Sequence, residues 1–294
     1  MNGSPEIIDS EKVGITSLSD DILHIIMCMV FYSSDFIKCY KIVKINKQLN
    51  RIVLNIIPTL TRINFYNTTF YTEHQINRLK IILNLKETKN ITTLEIKKVA
   101  HWLYAMIPLS NYLKKKNIKL TTLNLDLSYN NCAVDDIWDG LVENNTLTKL
   151  NLSNNYYVCA SDIAYLLRYN TTLLILDLSN VSFGSFVRLH EVEPIAESLK
   201  INTTLTTLLL NNNRINSSET IAIAKALEKN STLTTLNFSY NDVGYHGARA
   251  IAETVKINKT LTLLDLRGCN IGADGAKTIA EALKTNTTIK IITS

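Results

Sequence analysis

The histidines and cysteines of this 294-residue chain are its clearest candidates for chemistry, and their spacing argues against it. His24, His74, His101, His190 and His246 are scattered, and none stands at metal-ligand spacing from another His, Cys or acid. Each reads as a surface or turn residue. Cys28, Cys39, Cys132, Cys159 and Cys269 show no paired spacing and no C-x-x-C motif. No neighbouring base is in place to activate one of them as a nucleophile. Gly244, Gly247, Gly272 and Gly275 recur at fixed offsets as parts of a turn, not as a phosphate loop. These observations imply no enzyme, no metal and no cofactor. Unpaired cysteines fit a reduced, intracellular protein.

Charge is distributed unevenly. The net charge is +5, but residues 36–119 hold sixteen Lys or Arg against Glu73, Glu87 and Glu95. Lys114, Lys115, Lys116 and Lys119 form the densest cluster. Such clustering is the electrostatic footprint of nucleic-acid or anionic-lipid binding. A solvated face is the simpler reading, so nucleic acid is not the expected partner, and an acidic protein would satisfy the cluster as well. Met1–Asp21 is polar and acidic, unlike a signal peptide, and the apolar run Ile22–Phe31 is too short to span a bilayer. A cytoplasmic location is expected, with the nucleus left open. Asn67, Asn170, Asn202 and Asn286 stand in N-x-S/T sequons. The N-T-T sequence suits a turn from helix to strand, and without secretion it carries no glycan.

The elements that position these residues come from a repeat. Leu205, Leu233, Leu261 and Ile289 are equivalent positions 28 residues apart, a period that marks a solenoid. In one copy Leu208 and Leu210 alternate as a half-buried strand requires. Ile221, Ala224 and Leu227 then follow at spacings of three, as on one face of a helix, and Ala222 and Ala226 let the helix lie close to the strand. One unit cannot bury these side chains alone, whereas stacked units share a continuous core, each Leu contributing roughly 1.5–3 kcal/mol. Asn130, Asn155, Asn213 and Asn241 follow the strands. There an amide that both donates and accepts can satisfy turn backbone. Asn216, further into the loop, is expected to be replaceable. Earlier copies begin at Leu60, Ile91, Thr122, Leu147 and Leu173. Pro108 is expected to break the helical segment around it, and Pro194 to mark a helix start or break.

Leu261, Leu264, Leu266 and Cys269, then Ile271, Gly272, Gly275, Ala276, Ile279, Ala280, Ala282 and Leu283, resemble the ribonuclease-inhibitor-type leucine-rich repeat. The resemblance implies an α/β solenoid, a horseshoe with a parallel sheet on its concave side and helices on its convex side. Eight repeats and a truncated ninth are expected over 58–294.

Residues 17–57 lack the repeat. Leu18, Asp21, Ile22, Leu23 and Ile26, the pair Asp35–Phe36, and Ile45, Lys47 and Ile52 resemble an F-box. Ser19 and Leu49 stand where that family has Pro and Trp. The resemblance implies a substrate-recognition adaptor of a cullin-RING ubiquitin ligase. Leu18, Ile22, Leu23 and Ile26 would then dock on the small adaptor subunit. The competing reading is a binding or effector protein whose first helices only cap the solenoid. Residues 1–16 read as a flexible leader.

In either case a protein target is expected on the repeat surface, with no small-molecule substrate. Strand alternation sends Glu95, Asp126, Lys149, Asn151, Asp177, Leu209, Asn237, Asp265 and Arg267 to the concave face. Aromatic residues gather in the loops after the strands, at Tyr129, Tyr156, Tyr157, Tyr240 and Tyr245, where a rigid scaffold commonly carries recognition.

Overall fold

The computed structural model describes residues 62–66, 90–97, 103–126, 137–155, 158–181 and 192–293. The chain divides into two compact units, 1–59 and 60–294. The first, with the F-box-like Leu18, Ile22, Leu23 and Ile26, lies outside the described residues.

Alternating apolar residues put nine short strands in the second unit: β1 (Arg62–Tyr66), β2 (Thr93–Lys97), β3 (Thr122–Asp126), β4 (Lys149–Asn151), β5 (Ile175–Asp177), β6 (Thr207–Leu209), β7 (Thr235–Asn237), β8 (Leu263–Asp265) and β9 (Lys290–Ile292). They form one sheet in which each strand pairs in parallel with the next in sequence. Among the described residues seven helices alternate with the strands from β2 on: α1 (Leu103–Leu113), α2 (Trp138–Glu143), α3 (Ala160–Tyr169), α4 (Glu193–Leu199), α5 (Ser217–Leu227), α6 (Gly244–Ile257) and α7 (Gly272–Leu283). Parallel neighbours need a crossover, and each described crossover helix packs on the helix of the adjoining unit.

The core lies between the helices and the inward face of the sheet. Leu123, Leu150, Leu176, Leu208, Leu236 and Leu264 form one buried row along the strands. In α5 the buried set is Glu219, Thr220, Ile223, Ala224, Ala226 and Leu227, while Ile221 and Ala222 are only half-buried. The inward face is thus rotated from the expected one. Steps of three and four from Thr220 bring Ile223, Ala224 and Leu227 over the strands. A gap of about 10 Å³ beside Ile223, Leu236, Phe238, Ile251 and Leu264 has room for no more than about one water.

Two prolines behave differently. Pro194 stands in the first turn of α4, where its missing N–H costs nothing. Pro108 does not break the helix around it: α1 runs through it. Pro108 is itself buried, as are Met106, Leu109, Tyr112 and Leu113, so the helix holds an internal proline that costs roughly 3 kcal/mol in an isolated helix.

The third unit starts two residues earlier than expected. Leu123 pairs with Leu94 and Leu125 with Ile96, so the first apolar slot is the buried Leu120 and not Thr122. Leu123, Leu125 and Leu127 alternate with one parity, which allows two registers, and the pairing with β2 selects one.

Candidate protein-binding surface

The outward face of the sheet is a row set by strand register. Glu95, Asn124, Asn151, Asp177, Leu209, Asn237, Asp265 and Ile292 stand side by side. Asp126 does not belong to this row. It lies beside Lys97 at the end of β3, and Asn124 takes the expected place, donating its amide to Glu95 Oε1 at 3.1 Å. Lys149 is exposed at the other end of the strands, beside half-buried Ile175. Leu174, one residue before β5, is 42% exposed.

Most polar members of the row also close the strand locally. The Oδ1 atoms of Asn151, Asp177, Asn237 and Asp265 each accept the backbone N–H two residues on, at 2.8–3.1 Å. Such turns stop the strand and start the loop. Asp265 is buried and also takes Nε and an Nη of Arg267, at 3.0 and 2.6 Å. The hydrogen-bonded Arg267 guanidinium holds the Asp265 carboxyl below the usual carboxylate range. The Arg267 side chain itself remains about half exposed.

Beyond the strands the loops are held by asparagines. Asn213 is fully buried. Its Nδ2 donates to the Leu178 and Leu210 carbonyls at 2.6 and 3.0 Å, and its Oδ1 accepts the Val181 N–H at 2.6 Å. Asn155 and Asn241 donate in the same way to the preceding unit. Cys269 fills the same slot, its Sγ donating to the Phe238 carbonyl at 3.2 Å, and burial pushes its thiol up. Asn130 lies outside the described residues. Asn216 is no passive loop residue: it caps α5, accepting from Ser218 and Glu219 N–H while Glu219 accepts its own N–H in return.

One residue earlier in each loop the backbone is left-handed. Asn154, Asn180, Asn212, Tyr240 and Gly268 have φ between 58° and 65°. Asn and Gly tolerate this conformation, whereas an aromatic residue is strained there. Tyr240 is nevertheless in this slot, 62% exposed. Its ring lies so close to Gly268 that a Cβ there would meet ring Cδ1 at 2.7 Å. Tyr240 therefore stands beside Arg267 at the loop edge. The strained slot is visible in the sequence only when Ser-Asn-Asn, Asn-Asn-Asn, Ser-Tyr-Asn and Arg-Gly-Cys are aligned.

The other expected loop residues divide. Tyr245 is in the first turn of α6 with its ring 5.4 Å from that of His246, on the helix and not in the loop. Val243 holds the N-cap position of α6 without a side-chain capping hydrogen bond, and Tyr245 follows inside the helix. Tyr129, Tyr156 and Tyr157 lie outside the described residues. In the basic run, Lys114 pairs with Glu143 at 3.1 Å and Asp139 at 3.7 Å, and Lys115 lies over the Tyr112 ring at 5.5 Å. Lys116 and Lys119 are exposed. Among the described residues no group of three or more His, Cys, Asp or Glu could hold a metal, and no helix is long and apolar enough to cross a membrane.

Residues 229–252 and 258–280 match a family model described as Leucine Rich repeat. These are two successive copies of the 28-residue unit, so leucine-rich repeats are detected in the chain. The alternating parallel strands and helices in one open sheet fit a leucine-rich-repeat solenoid. Among solved structures the chain is similar to "Leiomodin-1 Actin-Binding Site 2 (ABS2)", with 26% identity, 46% of this chain and 76% of that chain covered, and a TM-score of 0.39. No curated protein sequence is significantly similar to the chain.

Proposed function

We propose that the chain is a protein-interaction scaffold whose target rests on the outward face of the sheet and on the adjoining loop edge, with Tyr240 and Arg267 as its anchors. The observation that carries this reading is Tyr240, an exposed aromatic ring in a left-handed slot that its neighbours fill with Asn or Gly. Strain held at an exposed position points to a use for it. Tyr and Arg are the side chains that most often dominate protein interfaces. Lys149, Asn151, Asp177, Leu209 and Asn237 supply the surrounding surface, and the buried Glu95 and Asp265 support it through Asn124 and Arg267. Affinity capture with wild type, Tyr240→Ala and Tyr169→Ala tests this. Tyr169 is also well exposed, at 54%, but on α3, behind the sheet. Proteins retained by wild type and Tyr169→Ala and lost from Tyr240→Ala are the expected result. Equal retention by all three removes the site.

A second reading is favoured by the sequence of residues 17–57. In it, Leu18, Ile22, Leu23 and Ile26 dock on the small adaptor subunit of a cullin-RING ubiquitin ligase while the repeats over 58–294 hold the target. The mechanism is proximity: the chain does no chemistry and raises the target's effective concentration at the ligase. Co-purification of ligase subunits with the full chain, lost in Leu18→Asp, tests it. Without such subunits the chain is a repeat-based binding protein whose first helices only cap the solenoid.

A further inference from the structure

Six of the sequons occupy one structural position. Asn144, Asn170, Asn202, Asn230, Asn258 and Asn286 each begin an N-x-T sequence between a helix and the next strand. All six are between 3 and 8% exposed. Each Nδ2 donates to a carbonyl at the helix end of the preceding unit: Leu113, Leu141, Leu167, Leu199, Leu227 and Val255, at 2.6–2.9 Å. In four of them it donates again, to the carbonyl of the preceding ladder asparagine at 2.8–3.2 Å. Each Oδ1 accepts the N–H of the threonine two residues on. The hydroxyls of Thr146, Thr172 and Thr232 reach back to carbonyls of the preceding unit as well. The fold therefore asks for Asn at all six positions and uses the Thr hydroxyl between units at three, for reasons unconnected with glycan attachment.

N-glycosylation attaches the sugar through Nδ2. The oligosaccharide leaves its lipid pyrophosphate, a bond forms from Nδ2 to the sugar, and one amide proton is lost. Here that nitrogen is buried and its N–H groups are engaged in the stack. A glycan cannot be placed in a gap closed by the preceding unit, and at Asn170, Asn230, Asn258 and Asn286, where both N–H groups are engaged, losing one amide proton also leaves a buried carbonyl without its donor. We infer that at these six sequons folding of the repeats and N-glycosylation exclude each other, so that the fold is suited to a compartment without the oligosaccharide transferase. Asn216 is the internal contrast. It also begins a sequon, Asn216-Ser217-Ser218, but it is exposed and its capping role uses Oδ1.

The full chain, given a cleavable secretion signal and expressed in cells that glycosylate, provides the test. Protease-resistant and protease-sensitive fractions are separated, and the occupancy of every sequon is read by mass spectrometry after enzymatic deglycosylation. The resistant fraction is expected to carry glycan at Asn216 and none at the six ladder positions, with ladder occupancy confined to the sensitive fraction. Blocking synthesis of the lipid-linked oligosaccharide should raise the resistant yield several-fold. Protease-resistant chains with a glycan on Asn202, Asn230 or Asn258 overturn the inference. So does a resistant yield that the block leaves unchanged while ladder sites are occupied.

Discussion

Asn213 shows how much one side chain carries in this fold. Replacing it by Leu leaves the Leu178 and Leu210 carbonyls and the Val181 N–H without that amide, inside a site with no exposure. Asn213→Leu should therefore cost about 1–3 kcal/mol, read as a lower denaturation midpoint. Asn216→Ala removes a helix cap and should cost about 1 kcal/mol; a near-neutral result would mean the reciprocal cap with Glu219 is not formed in solution. A third residue-scale prediction concerns pH. The folded Asp265 carboxyl is depressed by its hydrogen bond to Arg267, so it stabilises the fold above the unfolded value of about 3.9. That contribution fades as pH falls through the lower folded value. Arg267→Ala should lower the melting temperature equally at pH 7 and pH 5, with the gap closing below about pH 4. A gap that persists in acid would assign the loss to packing of the Arg267 stem.

The elements were legible in the sequence to different depths, and packing explains where legibility stopped. The 28-residue period located β6 to β9 because Leu205, Leu233, Leu261 and Ile289 recur without insertions. It misplaced the third unit because three alternating leucines fit two registers and only the partner strand chooses. The turn role of the N-T-T sequence was readable, but its service as a second ladder was not, since each amide acts on carbonyls of the preceding unit, 26–35 residues away. Tyr240 was visible as an aromatic residue, whereas its left-handed backbone and its seat on Gly268 depend on the neighbouring loop. Close approach between units sets a prediction of its own. Gly140 on α2 lies against α1 so tightly that a Cβ would meet the Ser110 Cα and carbonyl oxygen at 2.7 Å. These are backbone atoms of a packed helix and cannot turn aside. Gly140→Ala should cost about 1–3 kcal/mol through overpacking. A melting temperature equal to wild type would show that α1 and α2 are less closely seated than this.

At the scale of the whole molecule, stability in a solenoid is close to a sum of unit stabilities and neighbour interfaces, so a change is felt mainly where it is made. The division of the chain between Thr59 and Leu60 gives this rule a direct use. If residues 17–57 are a docking segment, Leu18 belongs to a binding surface and not to the core of the repeats. Leu18→Asp places a charge there. Introduced on an exposed docking surface, that charge costs little in folding and breaks an apolar contact with a partner. Introduced into a cap against the first repeat, it would be buried without a counter-ion and would open the solenoid from that end. The two readings thus give opposite signatures in one variant. For the adaptor reading, the thermal transition of Leu18→Asp should match wild type while binding to the ligase's small subunit, measured with both purified proteins, disappears. A lowered transition, with hydrogen exchange accelerated first in β1 and β2, would make residues 17–57 the cap of the solenoid and leave the repeats as its binding surface.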